Sequence, residues 1–244
     1  MKWVVAALML ILVPDEKSEL LAAAKKAGEA KSYAFRGETK LVLPEGLDRA
    51  AGGDAMKFEG KFERDAGAWV KTGAFEFVTA GGKTAARPVS EWRAVKNEGT
   101  DVQRLLYQSL AGARAVRPPL EDFAAWSRGL AVVKRTDAKE KIGDKECRLY
   151  EVEFTPHTAR DVVFALFPMG PWMDRMPVDK QVGTARVWID GETRILKIEI
   201  AARVMASIQG AEVELVATRT STITGYDATK VEVPADAKKA MDSK

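Results

Sequence analysis

The chain has 244 residues, 46% hydrophobic and 30% charged, which excludes a largely disordered protein. Its 38 basic and 35 acidic residues are interspersed, for a formal net charge of +3. Without a dense Lys/Arg run interleaved with aromatics, that balance excludes a nucleic-acid partner.

The N-terminus, "MKWVVAALMLILVPDEKSEL", places one lysine before an apolar run over residues 3–13, stopped by Pro14-Asp15-Glu16. This is the pattern of an export signal. The run is shorter than the roughly 20 apolar residues that span a bilayer. No small-x-small cleavage triplet follows, so residues 1–17 read as an export signal or a retained apolar segment that associates loosely with a membrane. Either way the expected location is periplasmic or otherwise extracytoplasmic, and residues 18–244 are expected to form one domain.

The spacing predicts a helix over 18–30, with Ser18 as N-cap and Leu20, Leu21, Ala24 and Ala27 on one stripe. Period-two alternation then predicts a strand over 32–43, a loop over 44–53, and short strands over 55–65, 68–73 and 74–80 with Gly81-Gly82 as a hairpin signal. Helical spacing returns over 100–116 and, after Pro118-Pro119, in "LEDFAAWSRGL" with Phe123 and Trp126. Strands follow at 130–138 and 146–154, joined by residues 141–145. Cys147 sits at strand spacing as a buried structural thiol, and His157 opens an apolar helix over 158–167. An apolar Pro/Met/Trp loop over 168–177 precedes long strands at 184–190, 194–206 and 211–225 and a last strand over 230–240. The sum is an α+β chain: an unclosed, strongly curved antiparallel sheet of about ten or more strands with helices across its concave face.

Little of this carries chemistry. One cysteine and one histidine allow no intrachain disulfide and leave no second member for a zinc site or a Cys/His pair. Asp190-Gly191-Glu192 lies between two alternating runs and lacks the convergent oxygen ligands a metal needs, so it reads as a hairpin with glycine supplying positive φ. Nucleophile, zinc-protease and phosphate-loop motifs are absent. Glu121-Asp122 and Glu151/Glu153 read as solvated carboxylates. The expectation is no catalysis, no metal and no cofactor.

The alternation instead aims apolar residues one way. Phe35, Leu41, Met56, Phe58, Phe62, Phe75, Phe77, Val187, Ile198, Ile200, Val213 and Leu215 are the expected lining of a concave face, with Trp188 on the opposite register. A sheet of this width is too large to be filled by its own side chains, so a helix-covered apolar concavity is a hydrophobic-ligand site.

The helix before "SYAFRGETKLVL", the stretch "KFEGKFERDAGAWVKTGAFEF", the helical insert, "GTARVWIDGETRILKIEI" and the terminal "GYDATKVEVPADAKK" together resemble the periplasmic lipoprotein-carrier superfamily (LolA/LppX-like), over about residues 18–240. The resemblance implies a half-barrel that binds or carries lipid or lipoprotein acyl chains, with a membrane-associated donor or acceptor as a further partner. It also implies a polar residue in the concavity that latches the helical lid, for which Arg219 is the candidate, where "VELVATRTST" breaks the alternation. The alternative is an envelope sensor or a structural partner on the same fold, with no transported ligand.

Overall fold

The computed structural model describes residues 15–42, 55–73, 75–88, 90–95, 118–166, 181–208 and 211–243. The expectations for the N-terminal apolar run, the 44–53 loop, the 100–116 helix and the 168–177 loop lie outside these residues.

Eleven strands make one antiparallel sheet, in the order β6-β5-β4-β3-β2-β1-β11-β10-β9-β8-β7. They are β1 Ser32–Val42, β2 Met56–Glu63, β3 Gly67–Thr72, β4 Phe75–Ala80, β5 Lys83–Arg87, β6 Arg93–Ala94, β7 Leu130–Ile142, β8 Lys145–Phe154, β9 Gln181–Asp190, β10 Ile195–Ile208 and β11 Ala211–Thr224. Two meanders are joined where the first strand pairs with the last, from Ala34 opposite Thr224 to Val42 opposite Val216. The edges β6 and β7 do not meet, so the sheet stays unclosed as expected.

Register explains the two faces. Opposed residues in antiparallel strands project to the same side. Phe35 lies opposite Ile223 and Gly60, and Ile198 opposite Ser221 and Val187, so the apolar residues of neighbouring strands form one surface. The other face carries charge of alternating sign. Arg36, Glu59, Lys71, Glu76 and Arg87 follow one another across five strands, and Lys134, Glu151, Arg186 and Glu199 across four. Two rungs close as ion pairs, Arg87–Glu76 at 2.7 Å and Arg186–Glu151 at 3.2 Å. A one-residue slip of any strand would bury part of such a ladder, so the ladders specify register more than they add stability.

The helices are α1 Glu16–Glu29, α2 Pro119–Trp126, α3 Pro156–Leu166 and α4 Ala235–Asp242. α1 is capped by Asp15, whose Oδ1 accepts from the Ser18 amide at 2.7 Å, so Ser18 lies inside the helix and is not its cap. The helix starts two residues earlier than expected, and its buried stripe is Leu20, Ala23, Ala24 and Ala27, whereas Leu21 is exposed. His157 stands in the first turn of α3, as expected. β7 runs four residues past its expected end, closing on Gly143 at φ 65°.

The expected last strand is absent. After Gly225 the chain turns over 226–228, runs irregularly to Pro234, then forms α4 against β5 and β6. Its backbone is satisfied without a ladder: the Thr229 amide donates to Ser32 Oγ at 3.1 Å, and the Val231 amide to Glu63 Oε2 at 2.9 Å. Pro234 then precedes an Ala/Lys-rich stretch whose helix propensity no strand partner opposes.

Trp188 does sit on the outward register, opposite Leu149, yet it is buried. It forms a second small core with Cys147, Leu149 and Leu196, with Ile142 packed alongside. Its Nε1–H donates to Glu140 at 2.8 Å, and Lys197 Nζ lies 4.0 Å from the ring centroid. Cys147 is the buried free thiol the sequence suggests, and burial pushes it above its ordinary pKa.

Candidate functional site

All twelve expected lining residues fall on the face that the helices cover. Phe35, Phe58, Phe62, Phe77, Val187, Ile198, Ile200 and Leu215 join one core cluster with Leu20 and Ala24 of α1, Leu120 and Phe123 of α2, and Val162, Val163 and Leu166 of α3. Leu41, Met56 and Phe75 are partly buried against it, and Val213 is half-buried.

Burial changes along the strands. At one end Tyr33, Phe62, Ile189, Ile195 and Ile223 are sealed. At the other, Leu41, Met56, Phe75 and Val213 stay partly open. The sealed end is tied down by polar rivets. Lys26 Nζ donates to the Glu192 carbonyl at 2.6 Å, Arg64 reaches the Gly28 and Ala30 carbonyls at the end of α1, and Tyr226 Oη donates to the Ile195 carbonyl at 2.6 Å.

Glycines set how near the covering layers come. A Cβ on Gly183 of β9 would lie 3.0 Å from Ala159 Cα of α3, so only hydrogen there allows α3 to rest on the sheet. On β1 and β2 the glycines make room for rings instead: a Cβ on Gly60 would meet Phe35 Cζ at 2.2 Å. The aromatic side chains thus lie flat along the face rather than standing out from it.

Arg219 occupies the middle of this face, 3% exposed, between Thr39 of β1 and Ile200 of β10. Its Nε–H donates to Thr39 Oγ1 at 3.2 Å and an η-nitrogen to the Ala165 carbonyl of α3 at 2.9 Å. One side chain therefore joins the last long strand to the first and to a covering helix. Burial pulls the guanidinium down to about 10, while the Asp122 carboxylate acts in the opposite sense, so the group is a cation at neutral pH.

Asp122 is a residue the sequence reading misplaces. It is 5% exposed, not solvated, because α2 turns Pro119, Asp122, Phe123 and Trp126 inward together. The three- and four-residue spacing from Pro119 to Trp126 was the available signal.

Glu19 binds α1 to β7 and β8. It accepts hydrogen bonds from Tyr150 Oη, from Arg148 at 3.1 Å and from Arg135 at 3.3 Å. The Tyr150 bond and then the two guanidinium groups hold its carboxyl below the usual range against the effect of desolvation. Burial first, and the bond to Glu19 second, push Tyr150 up to about 12.

The Asp190 turn is a hairpin, with a twist on the expected chemistry. The Thr193 amide donates to the Asp190 carbonyl at 3.1 Å, and the left-handed residue is Thr193 at φ 63°, not Gly191. The Asp190 amide in turn donates to the Arg194 carbonyl at 3.0 Å, closing a three-residue loop, and a register shift follows in β10 between Ile195 and Lys197. Asp190 Oδ1 accepts from the Glu192 and Arg194 amides at 2.9 and 2.8 Å, and Oδ2 takes Lys145 Nζ at 3.1 Å. Its lone pairs are committed to the turn. Among the described residues no group of three or more His, Cys, Asp or Glu side chains converges as a metal site.

No protein-family model matches the chain, and no curated protein matches its sequence. Solved structures do. The Mycobacterium tuberculosis lipoprotein LppX is similar with a TM-score of 0.50 and 14% identity, over 88% of this chain and 98% of that one. LprF from Mycobacterium bovis is similar with a TM-score of 0.51 and 10% identity, over 92% and 98%. The likeness is one of fold: the LolA/LppX-like half-barrel that the sequence resembles is the fold the chain adopts.

Proposed function

We propose that this protein binds and carries acyl chains of lipids or acylated lipoproteins, without transforming them, in an extracytoplasmic compartment. Residues 18–244 act as one carrier domain, and a membrane-associated protein loads or unloads it. Phe35, Phe58, Phe77, Ile198, Ile200 and Leu215 hold the chain, Leu41, Met56, Phe75 and Val213 form the entrance, and Arg219 latches α3. The supporting observation is the apolar face itself, which runs across the sheet under three helices. The export-type N-terminus agrees with the location, and no described helix is long and apolar enough to cross a membrane.

Native mass spectrometry of the protein purified from its host, followed by lipid extraction, tests the proposal. Co-purified acyl species and uptake of a fluorescent fatty acid are expected, and Phe58→Asp or Ile198→Asp should abolish uptake by placing a charge on the binding face. No co-purified lipid and no uptake would reject it.

The tight sealed end favours a second reading, an envelope sensor or structural partner. There α1 and α2 approach so closely that a Cβ on Gly28 would lie 3.1 Å from Ala124 Cβ. Survival of in vivo function in a folded Ile198→Asp protein would select that reading.

A further inference from the structure

The outer face of the sheet changes character along its strands. One row carries the alternating charges of Lys134, Glu151, Arg186 and Glu199. Two residues further toward the Gln181 end of β9, the row reads Val132, Glu153, Thr184, Ala201, Thr218 and Lys40. The next row reads Val182, Arg203, Val216 and Val42. Among the described residues four large apolar side chains are exposed, and three of them stand in these two rows: Val132 at 37%, Val182 at 50% and Val42 at 47%. A single exposed valine needs no explanation, but a group of them on one face at one end does.

The chain itself indicates what covers this end. Residues 3–13 form an apolar run joined to Asp15 through Pro14 alone. The start of α1 is fixed at the same corner of the sheet, because Lys17 Nζ donates to the Leu130 carbonyl at 2.8 Å, two residues before Val132. The apolar run therefore meets the fold where the valine rows begin. It is too short to span a bilayer, and the lipid interface is the environment that suits such a run. Lys40 and Arg203 stand among the valines, and their long stems let a cation reach lipid phosphate above buried methyl groups. Glu153 in the first row, and Glu214 one row beyond the second, limit the contact to headgroup depth.

We propose that the valine rows at this end of the outer face dock on the surface of a lipid bilayer, with the charged ladders left in water. The inference goes beyond acyl binding, because it sets the folded domain itself, and not only its N-terminal run, against the membrane.

The test uses the full chain and vesicles of phosphatidylcholine mixed with phosphatidylglycerol. An environment-sensitive fluorophore is attached at Val42→Cys, Val132→Cys or Val182→Cys, and for comparison at Lys71→Cys or Arg186→Cys in the ladders. Cys147 is buried and does not compete for the label. Vesicles should shift the emission to the blue at the three valine positions and leave it unchanged at the two ladder positions. Val42→Asp combined with Val182→Asp should lower vesicle partitioning about tenfold, the effect of returning two partly buried valines to water. The melting curve should stay unchanged, because both positions are exposed. Vesicle binding with unshifted valine labels would assign attachment to residues 3–13 alone and overturn the inference. Equal shifts at valine and ladder positions, undiminished binding of the double variant, or no binding to vesicles would overturn it as well. A blue shift without vesicles that grows with protein concentration would assign the rows to a second copy of the chain, again overturning it. Fatty-acid uptake is read separately on the same protein: docking without uptake would reject the carrier function and leave this inference intact.

Discussion

Thr193 and Gly37 show what individual residues contribute here. A β-branched residue at φ 63° carries a left-handed penalty of about 1–2 kcal/mol, offset by the Asp190 bonds that hold the turn closed. Thr193→Gly should therefore raise stability by about 1 kcal/mol, read as an increased midpoint in urea with unchanged slope. Gly37 presents the reverse case. A Cβ there would lie 1.8 Å from the Thr220 carbonyl oxygen, so an obstacle of backbone, not of a mobile side chain, excludes it. Gly37→Ala should cost about 1–3 kcal/mol or more, because β1 and β11 must separate where the two meanders join. A loss below 0.5 kcal/mol, the size of an ordinary surface change, would show that the seam is more compliant than this geometry implies.

At the scale of elements, α1 is held by charge at its start and by shape along its length. Glu16 accepts from the Arg135 amide at 3.0 Å and Lys17 donates to the Leu130 carbonyl at 2.8 Å, so two side chains of its first turn bond the backbone of the edge strand β7. This helps protect an edge of the kind that otherwise templates aggregation. Glu19 makes the attachment pH-dependent. Its folded pKa lies below the ordinary 4.5, so its contribution is present above that value and is lost as pH falls through the folded one. Glu19→Gln should leave α1 attached less firmly at neutral pH and should flatten the decline in melting temperature on acidification below about 4.5. An unchanged acid profile in the variant would place that decline on other carboxylates.

The whole molecule depends on bringing chain ends together. β1 pairs β11, and the segment after Gly225 crosses back to Ser32 and Glu63 before α4 reaches β5 and β6. Deleting residues 229–244 should lower the melting temperature by removing the Lys230–Glu63 pair, the Val231 bond and the Ala237 contact, while the concave face remains. Acyl uptake by the truncated chain at a temperature where it is folded would separate this structural role from the binding role. Loss of uptake in a chain that retains its β signature would place the C-terminal segment in the binding function instead.

Much was legible in the linear pattern because strand alternation is a local property. Period two over 32–43, 55–65 and 184–190 assigned Phe35, Phe58, Phe62 and Val187 to one side, and the register carries all twelve residues to one face. Arg219 came from the family resemblance, together with the break it makes in the alternation of "VELVATRTST". What escaped depends on partners distant in sequence. Trp188 is outward yet buried because Leu149 and Leu196 arrive from the two neighbouring strands and Ile142 from the strand beyond, and Asp122 is inward because α2 packs by its whole stripe. The expected strand over 230–240 became an irregular run and a helix because Glu63 and Ser32 satisfy its amides where no ladder partner is offered. Local periodicity can orient a side chain relative to its own strand, but only the folded chain decides what stands opposite it. That is why the sequence specified an apolar inner wall, and the tertiary structure alone placed a buried guanidinium at its centre, bonded to α3.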